Sequence, residues 1–120
     1  MASILEREVK SAEDKKIVSD ILWSRIKVGM ALQVDATLAY ERDKDSYTLT
    51  SADLKKDSPY NTYTRRGLPP TPISNPGFDA ILGALEPKVN PYLYFLTDKE
   101  GKVYYASTYA GHLSNKAKYF

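Results

Sequence analysis

The chain has 120 residues and a nearly balanced charge, with 17 basic and 15 acidic side chains and a formal net charge of +2. This length corresponds to a single domain with its own core. So weak a net charge argues against nucleic acid or an anionic membrane as the main partner. Cysteine is absent and histidine occurs once, which argues against zinc, iron–sulfur, thiol and disulfide chemistry. We therefore predict no metal site and no cofactor, and no apolar run is long enough to predict a membrane span.

The first nine residues have the periodicity of an amphipathic helix. Met1, Ile4, Leu5 and Val9 project to one side of it. Glu8 projects between Ile4 and Leu5, inside the apolar sector, where loss of hydration raises the pKa of a carboxyl group. Such a carboxyl group suits a general acid near neutral pH. The alternative is a boundary glutamate whose side chain bends out to water.

A second helix is predicted from an N-cap at Ser11 to a stop at Gly29. Trp23 and Arg25 fit its pattern poorly, and we interpret them as a boundary aromatic side chain and a solvated charge. The predicted buried stripe consists of Ile17, Val18, Ile21, Leu22 and Ile26.

Residues Ala31 to Tyr40 alternate between apolar and polar side chains, which predicts a β-strand. Its polar face would carry Gln33, Asp35 and Thr37. These hydrogen-bonding side chains would form either an ordinary solvated face or the lining of a polar cleft. A charged turn is predicted at residues 41–46 and a short helix at residues 51–56.

The stretch from Ser58 to Gly77 contains five of the seven prolines of the chain and follows neither the helical nor the strand period. Because proline fixes φ and restricts the preceding residue, the stretch is predicted to be a stiff, extended loop. Its aromatic and amide side chains suit a surface that holds a ligand. An ordered loop that caps the core is an equally weighted alternative.

The last third of the chain predicts a helix, a hairpin and a final helix. The first helix would begin with an N-cap at Asn75 and a proline at Pro76, and its core face would consist of Phe78, Ile81, Leu82 and Leu85. Residues 92–97 and 103–107 predict two strands joined around Gly101, and Thr108 is predicted to cap a helix that carries His112. Helices and antiparallel strands interleave without βαβ regularity, so we predict a single α+β domain with a small, mostly antiparallel sheet.

Three segments together resemble the YceG-like (MltG) family of endolytic murein transglycosylases. They are ASILERE (residues 2–8), GMALQVDATLAY (residues 29–40) and SPYNTYTRRGLPP (residues 58–70) followed by ISNPG (residues 73–77). PYLYF (residues 91–95) and His112 fit as well, so the resemblance spans nearly the whole chain. It implies that residues 1–120 are a YceG-like catalytic domain or subdomain without the membrane anchor and LysM-like part that family members typically carry.

The resemblance also implies an activity and a set of site residues. The family cleaves the β-1,4 bond between MurNAc and GlcNAc in peptidoglycan and leaves a 1,6-anhydro-MurNAc end. Its catalytic acid corresponds to Glu8, which would act first as acid and then as base. Because the C6 hydroxyl of the substrate is the nucleophile, the second carboxylate of ordinary glycosidases is dispensable. The expected substrate-binding residues are Gln33, Asp35, Thr37, Tyr60, Asn61, Thr62 and Tyr63.

The implied partners are peptidoglycan strands and peptidoglycan synthases, on the extracytoplasmic face of the bacterial cytoplasmic membrane. No nucleic acid is implied, and a membrane is implied only through the missing anchor. One alternative is a peptidoglycan-binding or scaffold module without turnover. Another is a hydrolase in which Asp35 activates water beside Glu8.

Overall fold

The computed structural model describes residues 1–43 and 48–120. In chain order these residues form α1 (Ala2–Glu8), α2 (Ala12–Val28), α3 (Asp35–Arg42), α4 (Ser51–Lys55), α5 (Phe78–Leu85), β1 (Tyr94–Thr97), β2 (Val103–Ala106) and α6 (Tyr109–Tyr119). Helices packed with an antiparallel strand pair confirm the predicted α+β class. No helix among these residues combines the length and apolar character needed to cross a bilayer.

The core forms around α1, which packs against α2, α3 and α5. Ile4 and Leu5 are at most 1% exposed, and Val9 is 3% exposed, as the helical period predicts. Val18 and Leu22 of α2 belong to the same apolar cluster. Because three neighbouring helices fix the rotation of α1 about its axis, they also fix the direction in which its last residue, Glu8, projects.

The predicted bounds of α2 are confirmed at both ends. The Ser11 hydroxyl accepts a hydrogen bond from the Asp14 N–H at 3.0 Å, and Gly29 closes the helix in the left-handed region at φ 79°. The interpretation of Arg25 as a solvated charge is wrong, because this residue is only 5% exposed. The Arg25 guanidinium group donates hydrogen bonds to two backbone carbonyl groups outside the helix. These bonds compensate part of the free-energy cost of burying its charge.

The predicted strand at residues 31–40 is wrong. Residues 30–34 form an irregular segment, and α3 begins at Asp35. The left-handed conformation of Gln33, at φ 55°, interrupts the extended chain. Thr62 of the proline-rich loop then accepts a hydrogen bond from the Val34 N–H, which a neighbouring strand would otherwise have engaged. The predicted turn at 41–46 is replaced by the end of α3 at residues 41–43, and residues 44–46 lie outside the described part of the chain.

The N-cap of α5 is Gly77 and not Asn75, so the helix starts two residues later than the Asn-Pro pair predicts. The Gly77 N–H donates a hydrogen bond to the Glu6 side chain of α1 at 2.8 Å. This contact ties the end of the proline-rich loop to α1, and it places the start of α5 after the glycine.

The predicted core face of α5 is also wrong. Ala80 is fully buried, whereas Phe78 and Leu85 are 76% and 75% exposed. A Cβ atom on Gly83 would lie 3.2 Å from the Lys15 carbonyl carbon, so the backbones of α2 and α5 approach closely there. Such an approach requires small side chains on the face towards α2, which leaves the large apolar side chains facing outward.

The hairpin and the cap of α6 follow the prediction. β1 and β2 pair antiparallel, with Tyr94 opposite Ala106. The Thr108 hydroxyl accepts a hydrogen bond from the Gly111 N–H at 3.1 Å and so caps α6. The short helix predicted at residues 51–56 is observed as α4, with a capping box at its start.

Candidate active site

A cleft of about 850 Å³ opens where the end of α1 meets the hairpin and α6. Its volume falls within the range of roughly 300–1,000 Å³ that ligand sites occupy. Residues from α1, α2, the segment before α3, the proline-rich loop, β1 and α6 line it, so distant parts of the sequence build one surface. The polar lining side chains used below are Glu8, Arg25, Gln33, Asp35, Tyr63 and His112.

Glu8 is the last residue of α1, and its side chain remains partly accessible from the cleft. Burial of the carboxyl group, together with the nearby charge of Asp35, raises the pKa of Glu8 to about 7. A hydrogen bond from the backbone N–H of Ala36 and the charge of Arg7 act in the opposite direction. The helical period predicted this raised pKa, and near neutral pH a substantial fraction of Glu8 carries a transferable proton.

Asp35 lies beside Glu8 because it is the first residue of α3. The Tyr63 hydroxyl donates a hydrogen bond to one of its carboxylate oxygens. The pKa of Tyr63 is raised well above its ordinary value, first by burial and then by this hydrogen bond, while the charge of Glu8 raises it further and that of Arg25 lowers it. Tyr63 therefore stays protonated and keeps donating its hydrogen bond to Asp35. It also lies close enough to Glu8 and Arg25 for their charges to affect its pKa.

The predicted polar face of Gln33, Asp35 and Thr37 is divided between the cleft and the interior. Gln33 is exposed and lines the cleft together with Asp35. Thr37 is fully buried, and its hydroxyl donates to the Val34 carbonyl at 3.2 Å. It also lies 3.2 Å from the hydroxyl of Thr62, which is 2% exposed. The two threonines thus fasten the proline-rich loop to the start of α3.

The amide of Asn61 likewise serves the interior. Asn61 is fully buried and donates to the carbonyl groups of Leu54 and Lys56, at 3.0 and 2.8 Å. Its oxygen accepts from the backbone N–H groups of Tyr63 and Thr64. These four bonds fold the loop so that the Tyr63 side chain reaches Asp35.

Tyr60 does not line the cleft either, because its hydroxyl pairs with Thr71 at 2.7 Å and its ring packs on Tyr40. Of the eight predicted site residues, the cleft is lined by Glu8, Gln33, Asp35 and Tyr63 and not by Thr37, Tyr60, Asn61 or Thr62.

Sequence reasoning missed the side of the cleft formed by Arg25, Tyr94 and His112. The guanidinium carbon of Arg25 lies 5.0 Å from the centroid of the Tyr94 ring, and the His112 ring stacks on Tyr94 at 5.2 Å. Burial, with the charges of Lys116 and Arg25, lowers the pKa of His112, which favours the neutral imidazole. No local sequence pattern predicts that these three side chains meet, because they are separated by long stretches of chain.

Ser3 and Glu6 of α1 also support the site. The Ser3 hydroxyl accepts a hydrogen bond from the Ile73 N–H at 3.1 Å, and the Ser3 carbonyl accepts one from the Ser74 hydroxyl. With the Glu6 contact to Gly77, they attach the second half of the proline-rich loop to the helix that carries Glu8. Within residues 1–43 and 48–120, no three His, Asp or Glu side chains come together as metal ligands would.

Comparison with known proteins gives a consistent result. Residues 1–118 match the YceG-like family. The chain is 39% identical over 119 residues to the endolytic murein transglycosylase of Bacillus subtilis (strain 168), which covers 99% of this chain and 33% of that protein. It is 34% identical over 125 residues to the endolytic murein transglycosylase of Streptococcus pneumoniae serotype 2 (strain D39), covering 99% of this chain and 23% of that protein.

A crystal structure of a yceG-like protein from Listeria monocytogenes has the same fold. It superposes with a TM-score of 0.89 at 42% sequence identity, over 95% of this chain and 38% of that chain. The present chain thus spans at most 38% of the length of these relatives. Because the family match extends over nearly every residue, the chain belongs to the YceG-like family.

Proposed function

We propose that this chain is the catalytic part of an endolytic murein transglycosylase. The observation that carries the proposal is the position of Glu8, whose carboxyl group has a pKa of about 7 and lies beside Asp35 in a cleft large enough for sugar rings. The names of the Bacillus and Streptococcus relatives support peptidoglycan as the substrate. The reaction would break the β-1,4 bond between MurNAc and GlcNAc and leave a 1,6-anhydro-MurNAc end.

In this mechanism Glu8 transfers one proton in each direction. The protonated carboxyl group gives its proton to the glycosidic oxygen while the bond from that oxygen to C1 of MurNAc breaks. The C6 hydroxyl oxygen of the same MurNAc then bonds to C1, and the Glu8 carboxylate takes the hydroxyl proton. The carboxyl group returns to its starting state, and no water molecule is consumed. A pKa near 7 suits both steps, because neither protonation state is strongly disfavoured at neutral pH.

Asp35 has a supporting electrostatic role in this proposal. Its negative charge raises the pKa of Glu8 and so helps retain the proton before the reaction. The same charge would stabilise the positive charge that develops at C1 as the bond breaks. Tyr63 holds the Asp35 carboxylate in place through its hydrogen bond, and Gln33 is available for sugar hydroxyl or acetamido groups. Thr37, Asn61 and Thr62 would act through the protein and not by touching the substrate.

A hydrolase is the second candidate, because Asp35 lies near enough to Glu8 to influence its pKa and could activate a water molecule. Mass spectrometry of digested glycan strands separates the possibilities. Transglycosylation predicts anhydro ends, hydrolysis predicts reducing ends, and a binding module without turnover predicts intact strands. Glu8→Gln should abolish release of anhydro products, and a variant that still releases them at the parental rate would refute the assignment of Glu8.

The substrate determines the cellular setting that we propose. Peptidoglycan lies outside the bacterial cytoplasmic membrane, so the protein containing this chain would act on the extracytoplasmic face, near the synthases that make its substrate. Protease treatment of spheroplasts tests this location, since an extracytoplasmic protein is digested while the membrane remains intact. Protection from protease until the membrane is lysed would contradict it.

A further inference from the structure

Arg25 is a buried cation for which the described chain supplies no anion. The residue is 5% exposed and forms no ion pair with a carboxylate of residues 1–43 or 48–120. A buried charge without a counter-charge is destabilising unless hydrogen bonds compensate it. Burial accordingly lowers the pKa of Arg25 from its ordinary value. An arginine that only joined two backbone segments would not need to line a cleft, yet this one does.

The hydrogen bonds of Arg25 occupy only part of the guanidinium group. Its Nε donates to the Leu93 carbonyl and its Nη1 to the Ala31 carbonyl, each at 2.7 Å. These two bonds fix the plane of the group, and the Tyr94 ring beside it restricts it further. Nη2 makes no hydrogen bond with the described residues, so its N–H groups remain available. The protein thus holds a rigid donor pair in a fixed orientation.

The charge around the cleft also favours a negatively charged ligand. Arg7, Lys10, Lys99 and Lys116 line the same cavity as Arg25. Among the acidic lining residues, Asp98 is engaged by backbone N–H groups of its own turn. Glu8 is partly protonated near neutral pH, since its pKa is about 7. The remaining acidic lining residues are Glu6 and Asp35, which accept hydrogen bonds from the Gly77 N–H and the Tyr63 hydroxyl. The lining therefore holds five basic and four acidic side chains, and a ligand that carries carboxylate groups would meet a small excess of positive charge.

We propose that Arg25 is a specificity-determining residue that binds a carboxylate group of the glycan substrate through Nη2. The inference rests on the proposed function and adds that the substrate must carry a carboxylate group, which cleavage of the glycosidic bond alone does not require. Arginine suits this role because its planar fork matches the two oxygen atoms of a carboxylate. In peptidoglycan a carboxylate is available from two sources, the lactyl group of MurNAc after removal of the stem peptide and the stem peptide itself.

The test measures binding and not turnover, in a Glu8→Gln background of the full chain. Three ligands of matched length are compared by isothermal titration calorimetry. They are GlcNAc oligomers without a carboxylate, peptide-stripped GlcNAc–MurNAc oligomers with the lactyl carboxylate, and peptide-bearing strands in which the lactyl group is an amide. Charge-assisted hydrogen bonds contribute about 1.5–3 kcal/mol. We therefore expect the carboxylate ligand that Arg25 recognises to bind roughly 10–100-fold more tightly than GlcNAc oligomers.

Arg25→Lys retains the charge but lacks the planar fork. It should remove most of that preference, about tenfold or more in Kd, while GlcNAc oligomers bind as before. Arg65→Lys, the same substitution at an exposed arginine that pairs with Asp57 outside the cleft lining, is the matched control and should leave the preference intact. An equal loss for all ligands would indicate a purely structural role and overturn the proposal.

A second measurement needs no substitution at Arg25 and covers the case in which its variant does not fold. Methyl esterification of the lactyl carboxylate, or of the stem-peptide carboxylates, removes the charge from the ligand alone. Esterification of the recognised group should weaken binding by about tenfold or more. If esterification of neither source changes Kd, the Arg25 proposal is refuted while the proposed function stands. If the Glu8→Gln protein binds none of the three ligands, the peptidoglycan proposal fails as well.

Discussion

Replacing Glu8 by glutamine should make the protein more stable, and the gain should depend on pH. Glutamine retains the shape of the side chain but cannot ionise. The pKa of Glu8 is raised from 4.5 to about 7 in the folded chain, a shift of about 2.5 units. At 1.36 kcal/mol per unit, the folded state disfavours the ionised carboxyl group by about 3 kcal/mol. Partial access of the side chain to water makes this an upper value.

The direction follows from which state holds the proton. Below pH 4.5 the carboxyl group is protonated in both states, so it adds no pH-dependent difference between parent and variant. Between pH 4.5 and about 7 the unfolded chain loses the proton while the folded chain keeps it, so the parent loses about 1.4 kcal/mol of relative stability per pH unit. Above pH 7 both states are ionised, and the difference becomes constant.

Thermal unfolding of the parent and of Glu8→Gln from pH 4 to pH 8 measures this difference. For a domain of this size, 3 kcal/mol corresponds to a Tm difference on the order of 10 °C, in favour of the variant at pH 8. The same ionisation should reduce parental turnover as pH rises above about 7. Glu86→Gln, at the exposed C-cap of α5, is the matched control and should retain parental turnover. A Tm difference that does not change with pH would refute the burial argument.

Three further substitutions test the surroundings of Glu8, the proline-rich loop and the packing of α5. Asp35→Asn should reduce turnover but leave measurable anhydro product, and complete loss of product would favour a mechanism with two carboxylates. Because the charge of Asp35 raises the pKa of Glu8, the substitution should also move the alkaline limb of the activity–pH profile to lower pH. Asn61→Ala should lower the free energy of unfolding by about 2–5 kcal/mol, because it leaves buried backbone groups unpaired; an unchanged denaturant midpoint would show that the amide is not structural. Gly83→Ala should lower the Tm despite the higher helix propensity of alanine, because the new Cβ atom would lie 3.2 Å from the backbone of Lys15; a raised Tm would show that α2 and α5 can separate easily.

The position of Glu8 could be predicted from the sequence because it depends only on the period of one helix. Ile4 and Leu5 mark the buried side, and a residue between them on the helical wheel must lie near that side. No contact distant in the sequence is needed for this argument. The raised pKa follows from the same placement, although the contribution of Asp35 does not.

The remainder of the site depends on contacts between distant segments. Alternation from Ala31 to Tyr40 fits a strand, but two hydrogen bonds between Val34 and Thr62, 28 residues later in the chain, favour a turn and a helix start instead. Arg25 is buried because a carbonyl group 68 residues away accepts one of its hydrogen bonds. A local sequence pattern does not reveal such distant partners. The prediction then follows the general tendency of arginine side chains to be exposed on the protein surface.

The prediction of the core face of α5 was wrong for a different reason. A hydrophobic pattern ranks side chains by their transfer from water, whereas the observed packing is decided by how closely two backbones approach. Gly83 permits that approach, so small residues face inward and Ile81 faces outward at 45% exposure. Length and apolar period therefore predicted the existence of the helix but not its orientation.

The outward-facing residues of α5 have a consequence for colloidal behaviour. Phe78, Ile81 and Leu85 recur along the helix as an apolar stripe in contact with solvent, and the net charge of +2 provides little mutual repulsion. Concentrated solutions of the isolated chain should therefore self-associate along this stripe. Ile81→Lys would add charge at the centre of the stripe, outside the cleft lining. The variant should self-associate less at high concentration while Glu8 and Asp35 remain unaltered.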